Sequence, residues 1–182
     1  MNLRFPWTAS LLWEVIEVEK PIVSKVTVSI SVGEGGEKLT KAEQLLGMIT
    51  GRKPARVHAV HTIRDFGIRE GMPMGCKVTL RKKEALDFLE RALKAKNNTI
   101  RLSSFDREGN FAFGIPEYTD LDGIRYMPDT GMFGMDVNVT VERIGYRIKK
   151  RKIRPGKIPR IHRVKREETV EMAQSMGVEV TE

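Results

Sequence analysis

Residues 24–32, SKVTVSISV, alternate between apolar and small polar side chains without a break. Because successive side chains of a β-strand point to opposite faces, the pattern predicts a strand that buries its valines and isoleucine and keeps its hydroxyl groups on the other face. Residues 76–81 and 134–142 alternate in the same way. We therefore expect a sheet with one apolar face and one polar face, the second free to meet water or a ligand.

Helical spacing of apolar residues appears between these strands. Over residues 37–50 the apolar positions recur three and four residues apart, and Gly51 follows as a natural stop. The same spacing predicts two further helices. The expected elements are, in chain order, strand 24–32, helix 37–50, strand 55–64, loop 65–75, strand 76–81, helix 82–97, strand 110–115, loop 116–133, strand 134–142 and helix 167–176.

The order of these elements predicts an α+β fold. Strands so close in sequence favour hairpins, so we expect an antiparallel or mixed sheet with helices packed on one face, plus a basic C-terminal extension. Three parts are expected: an N-terminal extension at 1–21, an α+β core at 22–146, and a basic extension with a C-terminal helix at 147–182. The charge of the basic extension ahead of that helix favours an unstructured state for the extension in the free protein.

The composition excludes several classes of protein. The chain has 182 residues, of which 40% are hydrophobic and 31% charged, unlike collagen-like or wholly disordered chains. A single Cys excludes a disulfide framework and fits a reducing, intracellular compartment. The sequence contains no run of eighteen apolar residues, so it predicts no membrane span. The apolar stretch Phe5–Trp13 is interrupted by Pro6 and has no cleavage site, which disfavours a signal peptide.

The positive charge of the chain is concentrated in one segment. Residues 143–166 contain 12 Lys and Arg and no acid, whereas the other 20 Lys and Arg are outnumbered by 24 acidic residues. A solvated surface would mix signs, and a membrane-bound helix would need an amphipathic stripe that Pro155 and Pro159 prevent. An acid-free, Pro-interrupted segment suits contact with phosphates, so we favour a nucleic-acid partner. A smaller basic cluster surrounds the second strand: Arg52, Lys53, Arg56, Arg64 and Arg69.

Local motifs give little support for catalysis. The glycines at 33, 35 and 36 lie between a strand and a helix, but their spacing fits neither nucleotide-binding fingerprint, so a simple turn is favoured over a phosphate site. His58 and His61 are three apart on a proposed strand and point to opposite faces, which is poor geometry for a metal site or for a nucleophile set with Cys76. We therefore expect no catalytic residue, no metal and no cofactor. A nucleotide-dependent enzyme and an RNA-binding assembly factor outside the ribosome remain as alternatives.

Several stretches together resemble one family. VSISVGEG, GRKP, TIRDFGIREGMPMGCKVTLR, FDREGNFAFGIPE and GIRYMPDTGMFGMDVNVTVER occur in the order seen in the universal 5S-rRNA-binding proteins of the large ribosomal subunit, the ribosomal protein L-five family. The closing GYRIKKRK and HRVKREETVEM resemble the archaeal and eukaryotic branch of that family. The resemblance covers residues 22–182.

The resemblance implies a structural, non-enzymatic role in the cytoplasm, bound to the ribosome. Its implied partners are 5S rRNA, large-subunit rRNA, P-site tRNA and neighbouring ribosomal proteins of the central protuberance, with no membrane. The implied fold is α+β with helices on one side of the sheet. A loop at Asp65–Cys76 would approach the tRNA.

The resemblance also implies site residues. Family contacts to 5S rRNA would fall near Ser29, Arg52, Thr79 and Asp136, and three of these lie on polar strand faces. Asp136 cannot attract phosphate, so it would accept a hydrogen bond from a base amine or a 2′-OH. The full predicted rRNA-binding set is Ser29, Ser31, Arg52, Lys53, Lys77, Thr79, Arg81, Asp136, Lys149, Lys150, Arg151, Lys152 and Arg154, and the predicted tRNA-binding set is Arg69, Gly71, Met72 and Pro73.

The chain departs from the family pattern at three positions. Many members have Asn where this chain has Ser29, and many have Gln where it has Arg52. A cation in place of an amide would shift that contact from bases toward phosphate. The family often has Gly at the position of Lys82, directly after the strand 76–81.

Overall fold

The computed structural model describes residues 20–128 and 131–181. The N-terminal extension expected at 1–21 therefore lies outside the described residues, except for its last two positions. The described chain forms strands β1 (Ile22–Ser31), β2 (Ala55–His58), β3 (Pro73–Arg81), β4 (Thr99–Arg101), β5 (Phe111–Ile115), β6 (Met135–Glu142) and β7 (Glu179–Thr181), and helices α1 (Glu37–Thr50), α2 (Lys83–Ala95), α3 (Arg147–Lys150) and α4 (Arg166–Ser175).

Five strands form one antiparallel sheet in the order β2-β3-β1-β6-β5. The first strand of the chain is therefore central, with β3 and β6 on either side. β4 and β7 form a separate parallel pair. The expected α+β fold is confirmed. Of the two predicted alternatives for the main sheet, antiparallel or mixed, the structure has the antiparallel one.

The apolar face of the sheet carries the core. Val26, Val28 and Ile30 of β1 are at most 1% exposed, and the alternating residues of β3 and β6 lie beside them. Helices α1 and α2 pack on this face because each presents a single apolar stripe. The buried residues of the two stripes are those that the spacing predicts: Leu39, Ala42, Leu45, Leu46 and Ile49 in α1, and Ala85, Phe88, Leu89, Ala92 and Leu93 in α2.

The segment between β2 and β3 differs from its prediction. The strand expected at 55–64 ends at His58, and the next strand begins at Pro73 rather than at 76. Residues 59–72 form a hairpin-like loop, in which the backbone N–H of Ala59 donates to the Met72 carbonyl at 2.9 Å. Pro73 can begin β3 because the first position of a strand does not require a backbone donor.

The C-terminal segment folds back on the core. Val164, Ala173 and Val178 belong to the same hydrophobic cluster as the sheet. Thr169, fully buried, donates from Oγ1 to the carbonyl of Gly109 at 3.0 Å. The expectation of an unstructured basic extension is therefore wrong in this structure, because apolar residues spaced between the cations anchor the segment.

Candidate nucleic-acid interface

Polar side chains cover the face of the sheet opposite the helices, which we call the open face. The register places three polar rows across its central strands β3, β1 and β6. Neighbouring strands are roughly 4.8 Å apart, so the members of each row are adjacent. The first row is Lys77, Ser29 and Asp136; the second is Thr79, Thr27 and Asn138; the third is Arg81, Lys25 and Thr140.

The open face combines the group types that contact RNA. Lys77, Thr79, Arg81 and Asp136 are exposed, and Ser29 is half-buried. Hydroxyl groups can bind phosphate or 2′-OH, cations attract phosphate, and a carboxylate accepts from a base amine or a 2′-OH. Chemically, this surface can bind a folded polyanion and read some of its hydrogen-bonding groups.

Arg52 joins the open face at one corner. It lines a shallow hollow together with Thr79 and Arg81. Its Nε donates to Glu84 Oε2 at 2.6 Å and its second guanidinium nitrogen donates to Oε1 at 2.8 Å. These hydrogen bonds lower the pKa of the Glu84 carboxyl below its ordinary value. Both side chains are more than half exposed, so the pair is screened by salt and a phosphate can compete with Glu84 for the guanidinium.

The basic segment lies across the third row from Arg52, on the β6 side of the open face. Lys149 and Lys150 line a cavity together with Lys25 and Thr140 of the third row. Lys150 Nζ donates to both carboxylate oxygens of Glu142, at 2.8 and 2.6 Å. The structure therefore brings the start of the basic segment to the sheet.

The remaining predicted residues are more scattered. Arg151, Lys152 and Arg154 are exposed beyond α3, and Arg151 Nε donates to the carbonyl of Arg154. Lys53 is exposed in the turn after α1. Ser31 lies opposite Gly75 at the end of β1, outside the three rows.

The loop expected to approach tRNA connects β2 to β3, and most of its residues are exposed. Arg69 is exposed and Gly71 has φ +78°, a left-handed conformation that favours glycine. Met72 is half-buried at the base of the loop, and Pro73 belongs to β3, which corrects the expected loop boundary. An exposed aromatic residue that the site prediction did not include, Phe66, lies in the same loop with 77% of its surface accessible.

Sequence reasoning missed four members of the polar rows: Lys25, Thr27, Asn138 and Thr140. Their strands alternate clearly, so the sequence assigned each of them to a polar face. It did not show which strands are neighbours, and only the pairing of β1 with both β3 and β6 brings the rows together.

The single cysteine and the histidines His58 and His61 do not form a reactive centre. Burial, together with the negative charge of Glu43, raises the pKa of the Cys76 thiol to about 11, so the thiol stays protonated at neutral pH. His58 and His61 are exposed, whereas Cys76 is fully buried under the helices. Within residues 20–128 and 131–181, no group of three or more His, Cys, Asp or Glu could hold a metal ion. Over the same residues, no helix is both long and apolar enough to cross a bilayer.

An open polar sheet face with basic side chains on both sides of its third row is typical of a nucleic-acid-binding protein, here of the α+β class. Comparison with known proteins specifies the family. The family model described as "Ribosomal protein L5" matches residues 17–69, and the model of the C-terminus of the same ribosomal family matches residues 73–172. The chain belongs to the ribosomal protein L5 family.

Similar proteins from three archaea support the same family assignment. The large ribosomal subunit protein uL5 of Methanosphaera stadtmanae is 46% identical over 90% of this chain and 98% of its own length. The uL5 protein of Thermoplasma volcanium is 48% identical over 87% of this chain and 94% of its own length. The uL5 protein of Sulfolobus acidocaldarius is 46% identical over 91% of this chain and 93% of its own length. The family consists of structural ribosomal proteins, which confirms both the resemblance and the prediction that the chain is not an enzyme.

Proposed function

We propose that this protein binds 5S rRNA and large-subunit rRNA in the central protuberance of the large ribosomal subunit. The observation that supports the proposal is the set of three polar rows, in which every second residue of three paired strands offers a hydroxyl, amide, carboxylate or cationic group. Most of the predicted rRNA-binding residues of the sheet, Ser29, Lys77, Thr79, Arg81 and Asp136, fall in these rows, and Arg52 borders them.

In this proposal, each type of side chain in the rows binds a different group of the RNA. Lys77, Arg81 and Lys25 neutralise phosphates, while Thr79 and Ser29 donate to phosphate or 2′-OH groups. Asp136 accepts from a base amine or a 2′-OH. The predicted cations of the basic segment, Lys149 to Lys152 and Arg154, add affinity that depends on charge more than on sequence.

The loop 59–72 serves, in this proposal, as the contact with P-site tRNA. Its support is the exposure of Arg69 and of most other residues of the loop between β2 and β3. Arg69 binds phosphate, and Gly71 allows the backbone to approach the RNA closely. Neighbouring ribosomal proteins of the central protuberance complete the set of proposed partners.

Replacing Thr79 by Ala tests the open face. We expect Thr79→Ala to weaken binding to a 5S rRNA transcript several-fold while leaving the urea midpoint nearly unchanged, because Thr79 is exposed on the polar side of β3. Thr181→Ala is the matched control, an exposed Thr on a strand of the second sheet. A large loss of stability with intact RNA binding would refute the placement of Thr79.

The salt dependence of binding tests the charge contribution. Each phosphate neutralised adds roughly 0.7 to 0.9 to the slope of log affinity against log salt, so the three cations of the rows alone give a slope of roughly 2 to 3 in magnitude. A slope near zero for the wild-type protein on 5S rRNA would contradict the proposal.

A further inference from the structure

The cavity at the end of the open face has properties that the polar rows lack. It has a volume of about 480 Å³ and lies between the third row and the folded-back basic segment. Pockets for small ligands have volumes of roughly 300 to 1,000 Å³, so the space suits a group the size of a nucleotide. Its walls come from β1, β6, the residues before β5 and the basic segment.

Three cations of this cavity are available for an anion. The cavity is lined by five Lys and Arg and by two acids, Glu108 and Glu142. The acids are engaged, since Glu142 pairs with Lys150 and Glu108 with Arg163 at 3.0 Å. Among the described residues, the other three lining cations form no ion pair: Lys25, Lys149 and Lys157.

Uncharged groups in the same wall suit a base. Tyr146 lines the cavity and is half-buried, with the ring of His162 beside it at a centroid distance of 5.9 Å. Asn110 accepts from the backbone N–H of Val141 through Oδ1, which leaves its amide N–H groups for another acceptor. Aromatic rings stack on unpaired bases, and amides bind base edges.

The wall formed by the basic segment is closed by a backbone hydrogen bond and by close packing. The backbone N–H of Gly156 donates to the carbonyl of Ile148 at 3.1 Å and closes the turn beyond α3. A Cβ at Gly156 would lie 2.7 Å from Ile148 Cγ2, so a larger residue here would push the Ile148 side chain aside. Binding therefore costs little ordering of the segment.

We propose that this cavity binds one unpaired nucleotide of RNA, with its phosphate held by Lys25, Lys149 and Lys157 and its base stacked on Tyr146. The inference deepens the proposed rRNA-binding function and rests on it for the identity of the natural ligand. Asn110 and Thr140 bind the edge of the base or the 2′-OH. A double-stranded segment cannot insert a base, so the site selects a bulge, a loop or a single strand.

The test uses the full chain and two RNA probes, a 5S rRNA transcript and a single-stranded oligoadenylate of ten nucleotides. We expect Tyr146→Ala to weaken oligoadenylate binding by roughly 5- to 150-fold, the effect of losing one stacked base. Tyr146→Phe keeps the ring and should retain most of the affinity. Tyr126→Ala, which removes an exposed Tyr outside the cavity, should have no effect.

A charge variant keeps the inference falsifiable if Tyr146→Ala does not fold. Lys149→Gln with Lys157→Gln changes two exposed residues and should lower the salt slope on the single strand by up to roughly 0.7, the value for one phosphate. Lys96→Gln, an exposed residue after α2, is the control. Adenosine monophosphate should compete with the single strand, because it carries both the phosphate and the base, whereas an RNA duplex of ten base pairs should compete weakly. Equal competition by the duplex would overturn the inference.

The outcomes separate this inference from the proposed function. If the wild type binds both probes and neither cavity variant changes the binding of the single strand, the nucleotide site is overturned while the role of the open face stands. If the wild type binds the single strand through Tyr146 but fails to bind 5S rRNA, the proposed function fails and the nucleotide site stands.

Discussion

Lys82 has a strained backbone conformation that lowers the stability of the fold beside the proposed binding surface. It lies between β3 and α2 with φ +55° and ψ −134°, a conformation that side chains with a Cβ rarely adopt. Such a residue costs roughly 1 to 3 kcal/mol. Its side chain lines the hollow that contains Arg52 and Thr79, so the strain retains a cation beside the open face.

Replacing Lys82 by Gly should therefore stabilise the fold and weaken RNA binding. We expect Lys82→Gly to raise the free energy of unfolding by about 1 kcal/mol, as relief of the strain outweighs the greater entropy of the unfolded chain. Urea denaturation measures the gain, and binding to 5S rRNA measures the lost charge. Lys83→Gly is the control and should lower stability, because Lys83 begins a regular helix. A lower stability for Lys82→Gly would show that the side chain makes a compensating contact.

At the scale of elements, one carboxylate connects the sheet to the basic segment. Glu142 at the end of β6 accepts from Ser24 Oγ of β1 at 2.7 Å and from Lys150 Nζ of α3 at 2.6 Å. Burial alone would raise the pKa of Glu142, but hydrogen bonds from Lys150 and Ser24, with the charges of Lys150 and Lys25, outweigh it and lower the pKa. This contact holds α3 against the sheet.

The lowered pKa gives the contact a defined pH dependence. Its stabilisation is fully present above the unfolded-state pKa of 4.5 and is lost as pH falls through the lower folded-state value. We expect Glu142→Gln to reduce the free energy of unfolding at pH 7 by about 1 kcal/mol, and the difference from wild type to shrink toward pH 3. Urea denaturation at both pH values checks this. Glu171→Gln, an exposed Glu on α4, is the control; a difference that does not depend on pH would exclude the ionic contribution.

At the scale of the whole molecule, the C-terminal segment completes the core as well as carrying charge. Val164, Ala173 and Val178 are each at most 4% exposed within the main hydrophobic cluster. The segment also provides β7, which pairs with β4, and Arg143 of the core forms an ion pair with Glu168 of α4 at 2.8 Å.

Deleting residues 147–182 should consequently destabilise the whole domain. Fully burying a Val contributes roughly 1.5 to 3 kcal/mol, so losing Val164 and Val178 alone costs several kcal/mol, a large part of the stability of a typical domain. Urea denaturation and the dispersion of amide resonances measure the loss. A chain ending at Val178, which removes only β7, is the control and should unfold at nearly the wild-type midpoint. An undiminished midpoint for the longer deletion would show that the core is independent of the segment.

The sequence by itself determined the periodic elements and the identity of the family. Strict alternation in β1, β3 and β6 assigned each residue to the buried or the open face, because the period of a strand leaves no other choice when one face is apolar. The stripes of α1 and α2 were predictable for the same reason. The concentration of cations in 143–166 also indicated the polyanionic partner.

Only the tertiary structure decided which of these residues meet. Strand order and register are set by contacts between distant parts of the chain, so Thr27 could not be placed between Thr79 and Asn138 from local pattern. The three-residue strands β4 and β7 form because the folded chain brings them together, and they are too short for periodicity to show. The path of the basic segment was missed for a related reason: its few apolar anchors gain burial only against a core that already exists.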